Sequence, residues 1–299
     1  MKKIIVLLSL FISLIAIGSE ESKIKMRELI EQIRNQSDQR ILITQNGSNI
    51  FFNDGELDYS FLKIIDGVSQ ESLFYGMGGV NEKTSEDSKK YILKNLIEIK
   101  KVGKPVLSVN YSNKKNLRYK ILKETEKYGF IGEAIPSYSA NSIFQPLQKN
   151  SLKNIDNLNE VKNFLYLLNP EKFKSLDDYY RILKNTDFDL LIIEPSLNGK
   201  FFTKEQIDSL KIRKNGKRRL VIAYFSIGEA EDYRSYWKKS WNKNKPSWIV
   251  KENPVWKGNF IIKYWDPQWK NIIKSYQNTL NEIGIDGYYL DTIDTYEQF

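Results

Sequence analysis

Short apolar runs alternate with amphipathic segments along most of this chain. Eight of these runs have the length and composition of buried strands: 41–46, 67–71, 105–111, 130–135, 163–168, 188–194, 220–226 and 286–291. Other segments space their apolar residues as helices do: 22–36, 85–102, 114–128, 176–183, 203–212 and 269–283. The strand-like runs are continuously apolar, which is typical of parallel strands buried on both faces.

This alternation predicts an α/β protein with a (β/α)8 TIM-barrel fold. An open doubly wound sheet is the alternative, because one sequence cannot show whether a sheet closes. Gly76-Met77-Gly78-Gly79 lacks the spacing of a nucleotide-binding loop, so no phosphate motif favours the open form. The polar segment 145–161 interrupts the alternation, and we expect it to link two half-barrels.

The first 18 residues have the pattern of a secretory signal peptide. Lys2 and Lys3 precede an apolar run, and small residues follow at 16–18. An uncleaved anchor is the alternative, but the apolar run is shorter than the ~20 residues that span a bilayer. We therefore expect cleavage, secretion or a place at the cell surface, no transmembrane segment in the mature chain, and one barrel domain over 19–299.

The composition excludes several kinds of active site. The chain has 299 residues with neither Cys nor His, so it offers no disulfide, no thiolate and no imidazole base. Ser-His-Asp hydrolases, Cys proteases and ordinary zinc sites are therefore excluded. Acid–base chemistry would fall to Asp, Glu, Tyr or Lys, and we expect no metal and no cofactor.

The charge of the chain gives a weaker indication of its partners. The formal net charge is +9, and removal of Lys2 and Lys3 leaves +7 (9 − 2). The excess Lys is scattered over predicted helices without an Arg-rich stripe, so we expect no nucleic-acid partner. Attraction to an anionic cell surface is the alternative interpretation. The oligomeric state is not indicated.

Polar residues follow nearly every predicted strand. In parallel barrels, functional side chains lie at the carboxyl ends of strands, although top loops also carry ordinary polar residues. Several carboxylates without any His match glycoside hydrolysis, which uses two carboxyl groups. The polar residues that follow strands are Gln45, Asn46, Glu71, Asn110, Tyr111, Glu133, Glu194, Ser226, Glu229, Asp291 and Asp294.

The longest crossover is rich in aromatic residues. All six tryptophans lie between Trp237 and Trp269. Such rings can stack on sugar C–H faces, or they can form a satellite core. We expect about half of the rings to be structural and favour Trp256 and Trp265 as substrate-facing.

Charged residues cluster near the start of the same crossover. Arg234 follows Glu229, Glu231 and Asp232 closely. An arginine in this setting can orient carboxylates at a site through paired hydrogen bonds, or it can belong to a structural ion-pair network. Both interpretations stay open at this point.

Three long motifs resemble one family. IAYFSIGEAEDYRSYW at 222–237, NPVWKGNFIIKYWDPQW at 253–269 and IDGYYLDTID at 285–294 resemble glycoside hydrolase family 114, the endo-α-1,4-polygalactosaminidase-like barrels. In that family these motifs belong to strands three and four.

The first half of the chain resembles the same family in a different order. ITQNG at 43–47, IDGVSQESLFYG at 65–76, GKPVLSVNY at 103–111 and YGFIGEAI at 128–135 resemble its carboxyl-terminal half. The resemblance therefore implies a circular permutant, with family strands in the order 5-6-7-8-1-2-3-4 and segment 145–161 joining the ancestral ends. This hypothesis requires strand 286–291 to pair with strand 41–46.

The resemblance also implies a site and an activity. The two catalytic acids of the family match Asp291 and Glu71. The chain departs from the family at Thr292, Glu194 and Asn110, where the family carries Asn, Asp and Asp. Together with the strand ends, the aromatic crossover and the charged cluster, this resemblance gives the predicted substrate-binding residues: Gln45, Asn46, Asn110, Tyr111, Glu194, Tyr224, Glu229, Tyr233, Arg234, Trp256, Trp265 and Asp294.

We therefore expect a secreted, endo-acting glycoside hydrolase whose partner is an amino-sugar polysaccharide of the galactosamine type. A non-catalytic carbohydrate-binding protein on the same barrel is the alternative. A third interpretation is a cationic surface protein that uses the barrel only as a scaffold.

Overall fold

A computed structural model describes residues 20–144, 146–148 and 150–299. The α-helices are α1 (Glu20–Asn35), α2 (Tyr59–Leu62), α3 (Glu86–Lys101), α4 (Lys115–Glu126), α5 (Leu176–Lys184), α6 (Lys204–Leu210) and α7 (Pro267–Glu282). The long strands are β1 (Ile41–Gln45), β4 (Gly67–Glu71), β5 (Val106–Tyr111), β6 (Ile131–Ile135), β7 (Phe164–Leu167), β8 (Leu190–Ile193), β11 (Leu220–Ser226) and β15 (Gly287–Asp291).

Shorter elements lie in the loops between these strands. The short strands are β2 (Phe52–Asn53), β3 (Glu56–Leu57), β9 (Ser196–Leu197), β10 (Lys200–Phe201), β12 (Glu229–Glu231), β13 (Ile249–Glu252) and β14 (Asn259–Ile262). The 3-10 helices are Ser48–Phe51, Leu158–Glu160, Lys239–Asn242 and Ile293–Gln298.

The eight long strands form one parallel sheet in the order β6-β5-β4-β1-β15-β11-β8-β7. The two edge strands, β6 and β7, lie beside each other, so the sheet curls into a nearly closed barrel. The prediction of an α/β TIM barrel is confirmed. Each predicted strand is found within a few residues of its expected position.

Helix starts show where local chemistry sets the boundaries. The predicted capping box of Thr203 and Gln206 is present at α6. Helix α7 begins at Pro267, two residues before the predicted start, because Asp266 caps it. The Asp266 side chain accepts a hydrogen bond from the Gln268 N–H, and proline suits the first helical position.

Alternating side chains divide the core into two layers. Ile43, Val109 and Ile222 belong to a cluster that fills the barrel interior. Their chain neighbours, such as Leu42 and Val221, pack with the helices outside the barrel. Residues at interior positions near the carboxyl ends of strands therefore face the barrel mouth.

Strands β1 and β15 pair directly, although they lie far apart in the chain. Ile41 is opposite Gly287, and Thr44 is opposite Leu290. Helix α1 docks beside them, since Ser22 Oγ donates to the carbonyl of Tyr296 at 2.9 Å. This is the pairing that the circular-permutation hypothesis requires. The permutation itself stays a prediction.

At the seam between β6 and β7, side chains form hydrogen bonds with the backbone of Ala134 on β6. The Glu133 carboxylate accepts from the Ala134 N–H at 2.7 Å, and Arg118 Nε donates to the Ala134 carbonyl at 2.5 Å. Burial raises the pKa of Glu133 to about 7. The crossover at this seam contains a 3-10 turn, Leu158–Glu160, in its described part, where other crossovers carry an α-helix.

The predicted signal peptide at 1–18 lies outside the described residues. In the part of the chain that the structure describes, no helix is long and apolar enough to cross a membrane.

Candidate active site

Glu71, at the end of β4, is held by groups from the two adjacent strands and from β7 across the barrel. Its Oε1 accepts hydrogen bonds from the hydroxyls of Tyr111 at 2.5 Å and Tyr166 at 2.8 Å. Its backbone N–H donates to Asn46 Oδ1 at 3.0 Å, and Asn46 Oδ1 also accepts from Gln70 Nε2 at 2.9 Å. Glu71 Oε1 is therefore fixed in position by two phenolic donors.

Asp291 has a different environment at the end of β15. Its Oδ1 accepts from the Thr292 N–H at 2.8 Å, and its Oδ2 lies 2.9 Å from the Tyr224 hydroxyl. Burial and the negative charge of Glu71 raise the pKa of Asp291 to about 7. The two carboxyl groups that the family resemblance identified therefore interact at one barrel mouth.

Three adjoining strands end in the same unusual backbone conformation. Asn46, Ser72 and Thr292 directly follow β1, β4 and β15, and their φ angles are 56°, 55° and 60°. Left-handed backbone is uncommon outside glycine and is a genuine outlier for a β-branched residue such as threonine. Such conformations cost about 1–3 kcal/mol each and cluster at functional sites. Both Glu71 and Asp291 immediately precede such a residue.

Thr292 anchors the start of the aromatic crossover. Its Oγ1 accepts from the Gly228 N–H at 2.8 Å and lies 3.0 Å from Ser226 Oγ. A Cβ at Gly228 would stand 2.1 Å from the Thr292 carbonyl oxygen, so only glycine fits there. The departure from the family at Thr292 thus retains a hydrogen-bonding side chain at this position.

Arg234 lies beneath the mouth as part of a buried ion-pair network. Its Nε donates to Glu231 Oε2 at 2.5 Å, and its Nη1 donates to Glu194 and to the Tyr276 hydroxyl. Burial raises the pKa of Glu194 despite this arginine. Of the two interpretations left open by the sequence, the geometry matches the ion-pair network. Tyr224 connects this network to Asp291.

Among the residues that the structure describes, a second group of carboxylates near Asp291 has no lysine or arginine within ion-pair distance. Glu229 is buried; its Oε1 accepts from Asn253 Nδ2 at 2.8 Å, whereas its Oε2 has no hydrogen-bond partner in the described structure. Burial raises the pKa of Glu229. Burial and the charges of Glu297, Asp291 and Glu229 raise the pKa of Asp294 well above its usual range.

Two of the predicted binding residues are engaged inside the fold. Asn110 is fully buried, and its Oδ1 accepts from the N–H groups of Phe74 and Tyr75 at 2.9 and 3.0 Å. Gln45 Oε1 bonds to the hydroxyl of Tyr289. Asn110 therefore shapes the loop after Glu71. A direct substrate contact for Asn110 or Gln45 stays a prediction.

The two favoured tryptophans occupy different environments. Trp256 is half-exposed, and its backbone N–H donates to Oδ1 of Asn253, the residue that also holds Glu229. Trp265 packs edge-on against Phe299, and Lys25 lies over its ring at 4.5 Å. Trp256 is thus linked to the carboxylate group, whereas the contacts of Trp265 are with α1 and the 3-10 helix region.

The other tryptophans form a satellite core with the sheet β12-β14-β13. Trp241, Trp248 and Trp269 are buried in mutual edge-on or tilted contacts, and Trp237 stacks on Phe260. Tyr233 is exposed, and its hydroxyl donates to Glu231 at 2.5 Å.

Sequence reasoning missed three residues of the network. Tyr166, Tyr289 and Glu231 were not among the predicted site residues, although each contacts one. Tyr166 and Tyr289 stand at interior positions of their strands, two residues after Phe164 and Gly287. Strand alternation could have identified them once the barrel was assumed.

In the described ranges, no group of three or more His, Cys, Asp or Glu residues is arranged to hold a metal ion. The barrel mouth nevertheless brings together the Glu71 carboxylate and the Asp291 carboxyl group, whose pKa is raised to about 7. That combination suits proton transfer to and from a bound substrate.

Residues 157–299 match the family model described as glycoside-hydrolase family GH114. The resemblance drawn from the sequence is confirmed over this range, which includes Asp291, Arg234 and Trp256. This part of the chain is therefore similar to the GH114 glycoside hydrolases.

Curated relatives extend the similarity without defining an activity. An uncharacterised protein of Methanocaldococcus jannaschii is 39% identical over 56% of this chain and 49% of its own length. An uncharacterised protein of Thermotoga maritima is 37% identical over 42% of this chain and 41% of its own. The chain thus spans about half or less of the curated relatives it matches.

A solved monomeric dihydrodipicolinate synthase variant aligns at 17% identity with a TM-score of 0.27, covering 62% of this chain and 63% of its own.

Proposed function

We propose that this protein hydrolyses a glycosidic bond with Asp291 as the general acid and Glu71 as the second carboxylate. The observation that carries the proposal is the electrostatic difference between them. Asp291 is buried beside the charge of Glu71, and its pKa rises to about 7. Glu71 accepts from two tyrosine hydroxyls on one oxygen. The pair therefore offers a proton and a negative charge together near neutral pH.

Each residue then has a defined part in the reaction. Asp291 gives its proton to the glycosidic oxygen while the bond from C1 to that oxygen breaks and its electron pair goes to the oxygen. Glu71 either bonds to C1 or takes a proton from the water that attacks C1. In the first case, Asp291 later takes a proton from the water that releases the sugar. The anomer of the first product distinguishes these two roles.

The substrate we propose is a galactosamine-type amino-sugar polysaccharide cleaved internally. Asp294 and Glu229 support this choice because neither has a lysine or arginine within ion-pair distance in the described chain, whereas Glu194 and Glu231 share Arg234. A protonated amino sugar would supply the missing positive charge. The exposed ring of Trp256 would support a neighbouring sugar.

The proposed setting is outside the cytoplasm. A cleaved signal peptide at 1–18 and a single barrel domain over 19–299 remain our proposals, as does the linking role of 145–161. The predicted association with the cell surface belongs with them.

The test uses Asp291→Asn and Glu71→Gln with a library of amino-sugar polymers and mass analysis of the products. We expect each variant to lose at least about 1,000-fold in kcat, since each removes a proton donor or a charge used in the transition state. Glu205→Gln, which changes an exposed carboxylate on α6, is the control. Wild-type rates in both site variants would contradict the proposal.

A carbohydrate-binding protein without catalysis is the second candidate. The observation that favours it is Thr292, which replaces the family's Asn directly after Asp291. Asn110, another departure from the family, does not favour this candidate, because its buried side chain accepts hydrogen bonds from the Phe74 and Tyr75 N–H groups. Tight binding of oligosaccharides with no product after days at high protein concentration would support this candidate.

A further inference from the structure

The Tyr224 hydroxyl lies between two carboxyl groups. Its oxygen is 2.9 Å from Asp291 Oδ2 and 3.2 Å from Glu231 Oε1. A phenol has one hydrogen to donate and lone pairs to accept with. If both carboxyl groups were ionised, one of these contacts would lack a full hydrogen bond. One added proton gives every contact between Glu231, Tyr224 and Asp291 a hydrogen to share.

The surroundings of Glu231 decide where that proton belongs. Arg234 Nε donates to its Oε2 at 2.5 Å, and the Tyr233 hydroxyl donates to its Oε1 at 2.5 Å. The side chain is buried against a guanidinium that also serves Glu194. Glu231 thus accepts a charge-assisted hydrogen bond from Arg234 and a second hydrogen bond from a phenol, so both of its oxygens already have strong donors.

Asp291 lacks such support. The titratable groups that face it are Glu71 from β4, Tyr224 from β11, Glu231 from β12, Asp294 from the last 3-10 helix, and the hydroxyls of Tyr111, Tyr166 and Tyr289. No lysine or arginine of the described chain pairs with it. The added proton is therefore more stable on Asp291 than on Glu231.

We propose that Glu231 is a positioning residue that acts through Tyr224 to keep the proton on Asp291. Tyr224 donates its hydrogen to Glu231 and turns a lone pair toward Asp291, which donates its own proton to Tyr224. Glu231 never touches the substrate in this arrangement. The inference rests on the proposed function for its catalytic meaning, but the proton arrangement can be tested without activity.

The test follows the protonation of Asp291 by infrared titration of protein labelled with ¹³C-carboxyl aspartate. The Asp291 signal is identified by its loss in Asp291→Asn. Activity–pH profiles on a cleavable substrate provide the second readout. Failure to find any substrate would leave the infrared titration intact, so the two proposals can fail separately.

Tyr224→Phe is the decisive variant. If Tyr224 accepts from protonated Asp291, its loss removes an acceptor, and Asp291 should ionise at a pH about one unit lower, with the alkaline limb of kcat moving the same way. If Tyr224 instead donates to ionised Asp291, the titration should move upward. An upward movement or no movement overturns the proposal.

Glu231→Gln tests the contact between Tyr224 and Glu231. The neutral amide frees Tyr224 to donate to Asp291, so Asp291 should again ionise at lower pH. If only the lost negative charge of Glu231 mattered, the pH at which Asp291 ionises would fall by the same amount in the wild type and in Tyr224→Phe. We therefore expect the effect of Glu231→Gln to shrink at least by half when Tyr224→Phe is already present. A full effect in that background overturns the role of Tyr224 as intermediary.

Tyr233→Phe is the matched control. Tyr233 donates to the same Glu231 oxygen but has no hydrogen bond to Asp291 in the described structure. We expect its Asp291 midpoint to stay within a few tenths of a pH unit of the wild type. A shift as large as that of Tyr224→Phe would overturn the proposed path. Tyr224→Phe and Tyr233→Phe keep their rings, so both should fold, which circular dichroism will show.

Discussion

Tyr166 on β7 donates a hydrogen bond to Glu71 on β4, and the two oxygens lie 2.8 Å apart. The residues are 95 positions apart and lie on strands that are not neighbours in the sheet. The contact therefore crosses the barrel interior. Together with Tyr111, it fixes one oxygen of Glu71, and in the proposed reaction the other oxygen would act on the substrate or the water.

Tyr166→Phe should lower kcat without unfolding the protein. A hydrogen bond to a charged group contributes about 1.5–3 kcal/mol, so we expect a loss of roughly 10- to 100-fold in kcat. Steady-state kinetics on the cleaved polymer measure it. Tyr180→Phe, which removes a hydroxyl bonded to Ser209 on the outer helices, is the control. Equal losses in both variants would contradict a specific role for Tyr166.

Asp291→Asn should stabilise the fold at alkaline pH. The folded-state pKa of Asp291 is raised to about 7 by burial and by Glu71, whereas an unfolded Asp titrates near 3.9. The folded state therefore binds its proton more tightly, and the stability this provides is complete below about pH 4 and lost as pH rises through 7.

We expect the variant to be about 2 kcal/mol more stable than wild type at pH 8 and nearly equal at pH 4. This is roughly half of the full linkage value, because the side chain keeps some exposure. Urea denaturation at both pH values measures the difference. Glu31→Gln, on the exposed face of α1, should show no such pH-dependent gain. A constant difference across pH would refute the assignment.

Arg234→Met should strongly destabilise the protein at neutral pH. It leaves Glu194 and Glu231 buried without their shared cation, which typically costs about 3–5 kcal/mol. Adding Glu194→Gln should recover part of this loss, because one of the two orphaned charges disappears. Arg181→Met is the control, since the Arg181 side chain on α5 is 71% exposed. Chemical denaturation gives the free energies of unfolding. If the effects of Arg234→Met and Glu194→Gln simply added in the double variant, the two residues would not share one network.

Trp256→Ala and Trp265→Ala should separate binding from packing. Trp256 is 47% exposed beside the carboxylate group, so its loss should raise KM for long polymers about 10-fold with little change in stability. Trp265 packs against Phe299 and Tyr264, so its loss should lower the free energy of unfolding by about 2–3 kcal/mol and leave KM unchanged. The reverse pattern would show that the sugar-facing ring is Trp265.

Local signals were enough to predict the eight barrel strands and the six longer helices, but not the short elements in the loops. Continuous apolar runs gave the eight strands, and turn and cap residues such as Thr203 marked helix boundaries. Motif resemblance also selected Asp291 and Glu71. Tyr166 and Tyr289 escaped prediction because their function depends on which residue they meet inside a closed barrel. The packing of Trp265 against Tyr264 and Phe299 could not be predicted for the same reason, and its substrate contact stays a prediction.

The sequence by itself determined the alternation of strands and helices and the absence of imidazole and thiol chemistry. It also led to the prediction of two acids, of which Asp291 lies within the range matched by the family model and Glu71 lies outside it. Only the tertiary structure decided which groups share protons and charges. Hydrogen bonds and ion pairs depend on distances of a few ångströms, and those distances arise when β4, β7, β11 and β15 converge at one end of the barrel. The pairing of Glu71 with Tyr166 and of Asp291 with Tyr224 could not be read from positions so far apart in the chain.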